Sequence, residues 1–468
     1  MATAAFLLLK IQDAGPFRAW LREILKGELT TAAEIPTERL ERWTACMNVA
    51  FTWHGLKALG LDKDALQTFP FEFRKGMAGR AHVLGDTGTS APEHWEFGGT
   101  RPGGPRDEDI HVLLMLYARN EEELCARLVR QRTLFAKAGV QELYCQRAAH
   151  PRDKHGQLTS REPFGFEDGV SQPVIQGFRK HERPSEDYDS PIAAGEFILG
   201  HDNEYQEKPL SPTVHESRDS LGRLNAAAQA GRKDLGLDGS YLVLRKLQQD
   251  VDGFNAFVEQ KSKELTDGCP QDDEKKKEWL KAKLMGRWSN GAPLKPDQLE
   301  APEPGPHGHS NAFTYSEDDA AGLGCPMTSH IRRANPRDSL APEPGLSKLV
   351  SRRHRLLRRG IPYRCEPQTE NTSPEQGLIF IALNAQLGRQ FEFVQQSWLH
   401  NEKFGRLYDE RDPVSSNQES GVMTIPMKPL RRCVTGIQSF VTMKGGGYFF
   451  MPGVSALEFL AHLEPTTD

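Results

Sequence analysis

The sequence has little that would fit it for a membrane, a disulfide framework or a polyanion. No segment reaches the roughly 18 consecutive apolar residues that a membrane-spanning helix needs, which speaks against such a span. Its seven cysteines, at 46, 125, 145, 269, 325, 365 and 433, lie far apart without any Cys-x-x-Cys pair. An odd, scattered set fits neither a disulfide scaffold nor a zinc site and suggests a reducing compartment. Charge of one sign is also scarce: 59 Lys and Arg against 64 Asp and Glu leave a net charge of −5. Nothing global therefore favours nucleic acid or an anionic membrane surface. The opening, Met1-Ala-Thr-Ala-Ala-Phe-Leu-Leu-Leu-Lys10, lacks the basic segment and cleavage site of a secretory leader and reads as a first strand. The expectation is a soluble, cytoplasmic protein with no nucleic-acid or membrane partner. Oligomeric state leaves no trace in the sequence.

At 468 residues the chain is too long for one small domain, and two large domains, each burying its own core, is the economical arrangement. A faint internal duplication agrees. Phe6-Leu-Leu-Leu-Lys-Ile11 reads as a buried strand leading to a helix with Phe17 and Trp20, and Tyr241-Leu-Val-Leu-Arg-Lys-Leu247 does the same before Phe254 and Phe257. The first half continues with strands near 46–52, 110–118 and 140–146 and helices through Leu61 and over 121–137, roughly a ferredoxin-like plan. The second continues with a strand at 378–384, a helix through Trp398, a strand at 448–451 and a helix at 455–463. Two polar spans interrupt the pattern. The first, 184–233, reads as a connector with short helices; the second, 263–374, is rich in Pro, Gly and charge and reads as too polar for a core, a long loop wrapping a ligand. The division is an N-terminal domain over 1–182, a connector over 183–238 and a C-terminal domain over 239–468 with an insertion at about 264–374.

Three strings carry chemistry. In Pro163-Phe-Gly-Phe-Glu-Asp-Gly-Val-Ser-Gln-Pro173 one acid, Asp168, sits between glycines; alone, such a string marks a turn. Cys325-Pro-Met-Thr-Ser-His330-Ile-Arg-Arg-Ala-Asn-Pro-Arg-Asp338 offers a histidine that alone reads as a surface or helix-terminal residue. His354-Arg-Leu-Leu-Arg358-Arg-Gly-Ile-Pro-Tyr363 belongs to a basic run that alone reads as a solvated helix face or a nucleic-acid contact.

Together the three resemble the dye-decolourising peroxidase family, specifically its longer members with large insertions. Asn48-Val-Ala-Phe-Thr-Trp-His-Gly-Leu-Lys-Ala-Leu-Gly60, Leu284-Met-Gly-Arg-Trp-Ser-Asn-Gly-Ala-Pro-Leu294, Gln390-Phe-Glu-Phe-Val-Gln-Gln-Ser-Trp398 and Gly445-Gly-Gly-Tyr-Phe-Phe-Met-Pro452 resemble it too, in the same order. The resemblance spans nearly the whole chain. It implies an α+β fold of two ferredoxin-like domains, of the dimeric α+β barrel type, with antiparallel sheets and peripheral helices. It also implies one haem b per chain, between the sheet and helices of the second half, and a peroxidase that reduces hydrogen peroxide and oxidises organic reductants such as dyes and phenols.

Carried onto this chain, the resemblance makes His330 the axial iron ligand, a usual role for a neutral imidazole. Arg332 and Arg333, with Arg337, are candidates to pair with haem propionates. A ligating histidine normally donates its other ring N–H to a carboxylate, and Glu392, between Phe391 and Phe393, is the candidate partner. On the opposite face the family places Asp168 and Arg358. An ionised Asp168 carries a proton from one peroxide oxygen to the other, and Arg358 lowers its pKa and stabilises charge on the departing oxygen. Gly165 and Gly169 permit close backbone approach to the porphyrin edge, and Phe166, Val170 and Ser171 line the pocket. An aspartate in this role implies an acidic optimum, since its ordinary pKa is near ~3.9. Bulky reductants would need a surface relay, for which Trp95, Trp279, Trp288 and the tyrosines are the pool. A haem-binding or haem-delivery protein leaves the acid–arginine pair without a role, and a chlorite-dismutase-like enzyme lacks the Gly-x-x-Asp-Gly signature.

Overall fold

The run Phe6 to Leu9 is apolar at every position because its strand is covered on both faces. Ala5, Leu7 and Leu9 pack with Phe17, Trp20 and Leu21 of the helix Ala14–Leu25. Ala4, Phe6 and Leu8 point the other way, into a cluster with Leu242, Leu244, Ile361, Ile379 and Phe449 from the second half of the chain. The period-2 alternation of a strand thus divides the interior into two layers. The computed structural model describes residues 1–31, 45–177, 191–303, 311–340, 343–366 and 374–464.

Its strands are β1 (Thr3–Ile11), β2 (Ala45–Phe51), β3 (Val112–Ala118), β4 (Val140–Ala149), β5 (Thr213–His215), β6 (Arg232–Asp234), β7 (Ser240–Gln249), β8 (Leu357–Cys365), β9 (Glu375–Asn384), β10 (Gly421–Ile425), β11 (Arg432–Ile437) and β12 (Val441–Met451). Eight of them form one antiparallel sheet in the order β4-β1-β3-β2-β12-β7-β9-β8. Read as two fours, each half runs fourth, first, third, second, the strand order of a ferredoxin-like unit. The halves join at the pair Phe51 and Phe450, and the outer strands β4 and β8 come together at the far side. The sheet therefore curls around the layer that holds Phe6, Leu242 and Ile379. β5 with β6 and β10 with β11 form two small hairpins. No helix among the described residues is long and apolar enough to cross a membrane.

Three sequence expectations differ from what is observed. Residues 263–374 do build a core: the helix Asp273–Met285 and the segment after it bring Trp279, Leu280, Trp288, Tyr315 and Cys325 against Phe254, Phe257 and Phe440. Scattered apolar residues suffice because Trp279, Trp288 and Tyr315 each bury a large ring. Arg358 does not lie in a loop but on β8, which the basic run disguised. β8 tolerates Pro362 because it is an outer strand, hydrogen-bonded within the sheet to β9 alone. The helix expected through Trp398 is wound as a wide π-type helix over Gly388–Glu392 and Val394–Leu399. The boundary at 182/183 lies outside the described residues, and the connector beyond it carries the small β5–β6 hairpin.

Candidate active site

Alternate residues of β7, β8 and β9 that do not face the inner layer face a cavity under the helices of the second half. Leu247, Arg358, Leu378 and Phe380 line it from the sheet, and His330, Ile331, Val394 and Leu399 line it from the helical side. The loop after β4 supplies Phe164, Phe166, Asp168, Gly169, Val170 and Ser171.

His330 opens the short helix His330–Ala334. The helix is fixed from several sides. Ser329 Oγ donates to Lys283 O at 2.5 Å, Arg333 donates to Trp398 O and Glu410 O at 2.7 and 2.9 Å, and Arg332 donates to Cys325 O at 2.8 Å. The His330 Nδ1–H donates to Asp412 Oδ2 at 2.7 Å, a direction set by the acceptor-only character of a carboxylate. Asp412 is wholly buried, and its other oxygen accepts the N–H groups of Val414 and Ser415 at 2.9 and 2.7 Å. Burial alone would raise its pKa, but the adjacent His330, the Ser415 N–H and the charge of Arg333 hold it down to about 2. With Nδ1 engaged, Nε2 is the ring nitrogen left for a ligand in the cavity.

Asp168 lies on the sheet side. The Arg358 Nη1–H donates to its Oδ1 at 2.8 Å. Burial pushes the carboxyl up, but the Arg358 charge and hydrogen bond, with the N–H groups of Gly169 and Gly360, keep it below the ordinary carboxylate value. Its main chain is pinned by Asp168 N–H to Ser160 O at 3.0 Å. Arg359, the neighbour on β8, is exposed and points away, as strand alternation requires.

The remaining expectations sort differently. Glu392 is not beside His330. It is 2 % exposed, pairs with Arg80 at 2.6 Å and accepts the Tyr448 hydroxyl at 3.0 Å; its burial needed a partner, and Arg80 of the first half is that partner. Arg332 and Arg333 do not line the cavity: both are buried, Arg333 bonded to carbonyls and Arg332 bonded through Nη1 to Cys325 O and stacked over the Tyr315 ring at 4.1 Å. Arg337 is likewise turned to Asn311 O and Phe313 O. The cations that do line the cavity, besides Arg358, are Arg245, Arg287 and Arg355. Arg245 is closed off by a buried pair with Asp86. Gly165 adopts φ +99° in the turn before Phe166 but is not in the cavity lining, whereas Gly169, at φ +79°, is. Trp95, Trp279 and Trp288 are at most 2 % exposed, so none reaches the surface as a relay would.

Sequence reasoning missed Asp412 and the lining arginines 287 and 355. Asp412 sits in an unremarkable Glu-Arg-Asp-Pro string, 82 positions from the histidine it serves, and no local pattern links them. The donor set matches haem. One imidazole nitrogen faces a cavity whose apolar walls suit a flat macrocycle, and Arg355 on its lining would offer positive charge to the carboxylates, whereas Arg287 is bonded to Gly291 O and Asn311 Oδ1 at 2.9 and 2.6 Å.

Comparison with known proteins agrees. Residues 2–150 match the DyP dimeric alpha+beta barrel domain. A dye-decolorizing peroxidase of Mycena epipterygia is 28 % identical over 97 % of this chain and 83 % of its own length. Peroxidase 2 of Mycetinis scorodonius is 29 % identical over the same shares. A solved dye-decolorizing peroxidase in complex with 2,6-dimethoxyphenol shares the fold, with a TM-score of 0.77 and 23 % identity over 98 % of this chain and 96 % of that one. With its N-terminal barrel domain matched and near-full-length relatives of one kind, the chain is similar to dye-decolourising peroxidases along nearly its whole length.

Proposed function

We propose that this chain binds one haem b through His330 and uses Asp168 and Arg358 to reduce hydrogen peroxide, taking the electrons from organic reductants such as phenols and dyes. The observation that carries the reading is the Asp168–Arg358 pair, at 2.8 Å, in the same cavity as His330. Haem iron, when bound, supplies the redox change that breaks the O–O bond. The chain supplies the rest. His330 Nε2 would hold the iron, with Asp412 fixing the ring and making the nitrogen a stronger donor. The Asp168 carboxylate accepts a proton from one peroxide oxygen and delivers it to the other, which departs as water. The Arg358 guanidinium keeps Asp168 ionised and favours negative charge on the departing oxygen, most strongly where apolar walls exclude water. Leu378 and Phe380 provide such walls.

A haem carrier on the same scaffold would need His330 but leaves the acid–arginine pair without a purpose. A cytoplasmic site of action belongs to the same proposal and rests on cysteines scattered too widely for a disulfide framework. The deciding experiment is an absorption spectrum of the protein produced with ample haem. A Soret band that shifts on adding hydrogen peroxide supports the reading, and its loss in His330→Ala assigns the ligand. No bound haem under those conditions overturns it.

A further inference from the structure

The outer strand β8 leaves main-chain groups unpaired on the side away from β9. Such an edge ordinarily bonds to water or to another chain. At Arg358 it bonds to a side chain. Gln172 Nε2 donates to Arg358 O at 2.6 Å, and Gln172 Oε1 accepts the Arg358 N–H at 3.3 Å. One planar amide thus closes both main-chain groups of this residue, as a neighbouring strand would. Four positions earlier on the same loop, Asp168 takes the Arg358 guanidinium at 2.8 Å and the N–H of Gly360, the next residue of β8 oriented the same way. The acid and the arginine are 190 positions apart in sequence. Asp168 holds the side chain of Arg358 and the main chain of Gly360, and Gln172 holds the main chain of Arg358 itself.

We propose that Gln172 is a positioning residue for the reaction with peroxide: by holding the Arg358 main chain from the Asp168 loop, it sets the geometry of the acid–arginine pair. The role rests on the function proposed above; the grip itself does not. Loosening it lets the guanidinium drift from Asp168, whose carboxyl then moves up toward the ordinary range. The other charged or titratable groups around Asp168 are Glu162 and Glu167 on its own loop, His150 after β4, and Arg287 and His330 across the cavity. Both hydrogen bonds described for the Gln172 amide go to Arg358. Loss of the amide therefore slows the peroxide step and moves its acid limb to higher pH, whereas a merely structural defect lowers the active fraction without moving the limb.

The test uses Gln172→Met, which keeps the length and volume without the amide, beside Gln172→Leu. In the haem-loaded protein, stopped-flow mixing with hydrogen peroxide should show a rate lower by about tenfold, the order expected from losing one or two hydrogen bonds, and an acid limb displaced upward. In the Asp168→Asn background the same substitution should add nothing, because the pair it positions is already broken. Hydrogen exchange on the haem-free chain gives a separate readout: the Arg358 amide should be protected in the parent and lose protection in both variants. Unchanged rate and limb in variants that have lost that protection would overturn the proposal, as would protection that survives the substitution. A parent protein that binds haem but ignores peroxide would overturn the function, and this role with it, while leaving the exchange result intact.

Discussion

Asp412 Oδ2 stands 2.7 Å from Nδ1 of His330, on a residue with no exposed surface whose second oxygen is filled by two main-chain N–H groups. Each oxygen of the carboxylate has a single task, so the imidazole cannot rotate without leaving a buried charge unpaired. The two residues come from segments 82 positions apart, and Arg333 ties the same segments together through Trp398 O and Glu410 O. The His330 helix, Asp412 and the π-type helix over Val394–Leu399 are therefore tied together on the side of the cavity that faces the sheet.

Asp412→Asn is expected to weaken haem binding while leaving the fold intact. The amide preserves volume but cannot make the ligand nitrogen more basic, and substitutions at such partners typically cost about 10- to 100-fold in affinity. Haem titration of the haem-free protein, followed at the Soret band, measures it. An affinity equal to the parent's would remove Asp412 from the proposed role.

The duplicated strand–helix openings and the strand and helix succession of the first half were legible in the sequence as local patterns, whereas the Asp168, His330 and Arg358 segments, each bland alone, stood out through their joint resemblance to one family. β8 was not legible, because Ser351-Arg-Arg-His-Arg-Leu-Leu-Arg-Arg359 has no alternation to show and an outer strand needs only one buried face. Asp412, Gln172 and the Arg80–Glu392 pair were not legible for another reason. Each is defined by a partner between 82 and 312 positions away, and a buried polar residue does not announce in sequence which distant group satisfies it. Glu392 shows the error this invites: its burial was inferred from the flanking phenylalanines, but its partner proved to be Arg80 rather than His330.

The proposed peroxide step should persist into acid. Asp168 must be ionised to accept a proton, and Arg358 holds its pKa below the ordinary carboxylate value against the opposing effect of burial. The base form is therefore present above that lowered pKa, and activity falls only as pH drops through it. Arg358→Leu leaves burial unopposed by that charge, so the limb should move to higher pH. Asp168→Asn should remove the limb and lower the rate by about 10²- to 10⁴-fold, the usual contribution of a positioned acid–base group. Stopped-flow rates across pH 3 to 8 read all three. A parent limb near neutrality would contradict the assignment.

Glu392→Ala should cost stability without touching haem affinity. It removes the partner of Arg80 and of the buried Tyr448 hydroxyl. Because the Arg80 side chain keeps 20 % of its exposure, water screens part of the orphaned charge, and a loss of about 1–3 kcal/mol is expected rather than the larger cost of a fully buried pair. Denaturant unfolding and haem titration separate the two effects. A drop in haem affinity like that of Asp412→Asn would mean that Glu392 acts on the ligand after all.

Gly360→Ala tests the other side of the cavity without altering any group assigned to chemistry. A Cβ at Gly360 would stand 2.1 Å from Leu378 Cδ2 and 2.5 Å from Asp168 Oδ2, both inside contact distance. The leucine methyl can turn aside at the expense of cavity packing. The carboxylate oxygen cannot retreat without lengthening its bonds to Arg358 or to the Gly360 N–H. Overpacking of this kind costs about 1–3 kcal/mol, so the thermal midpoint should fall. The reaction with peroxide should slow as well, because the acid–arginine pair is displaced, while haem affinity, set by His330 and Asp412 on the helical side, stays near the parent value. A variant that loses stability but reacts with peroxide at the parent rate would show that the contact of Asp168 with β8 holds the loop in place without tuning the pair.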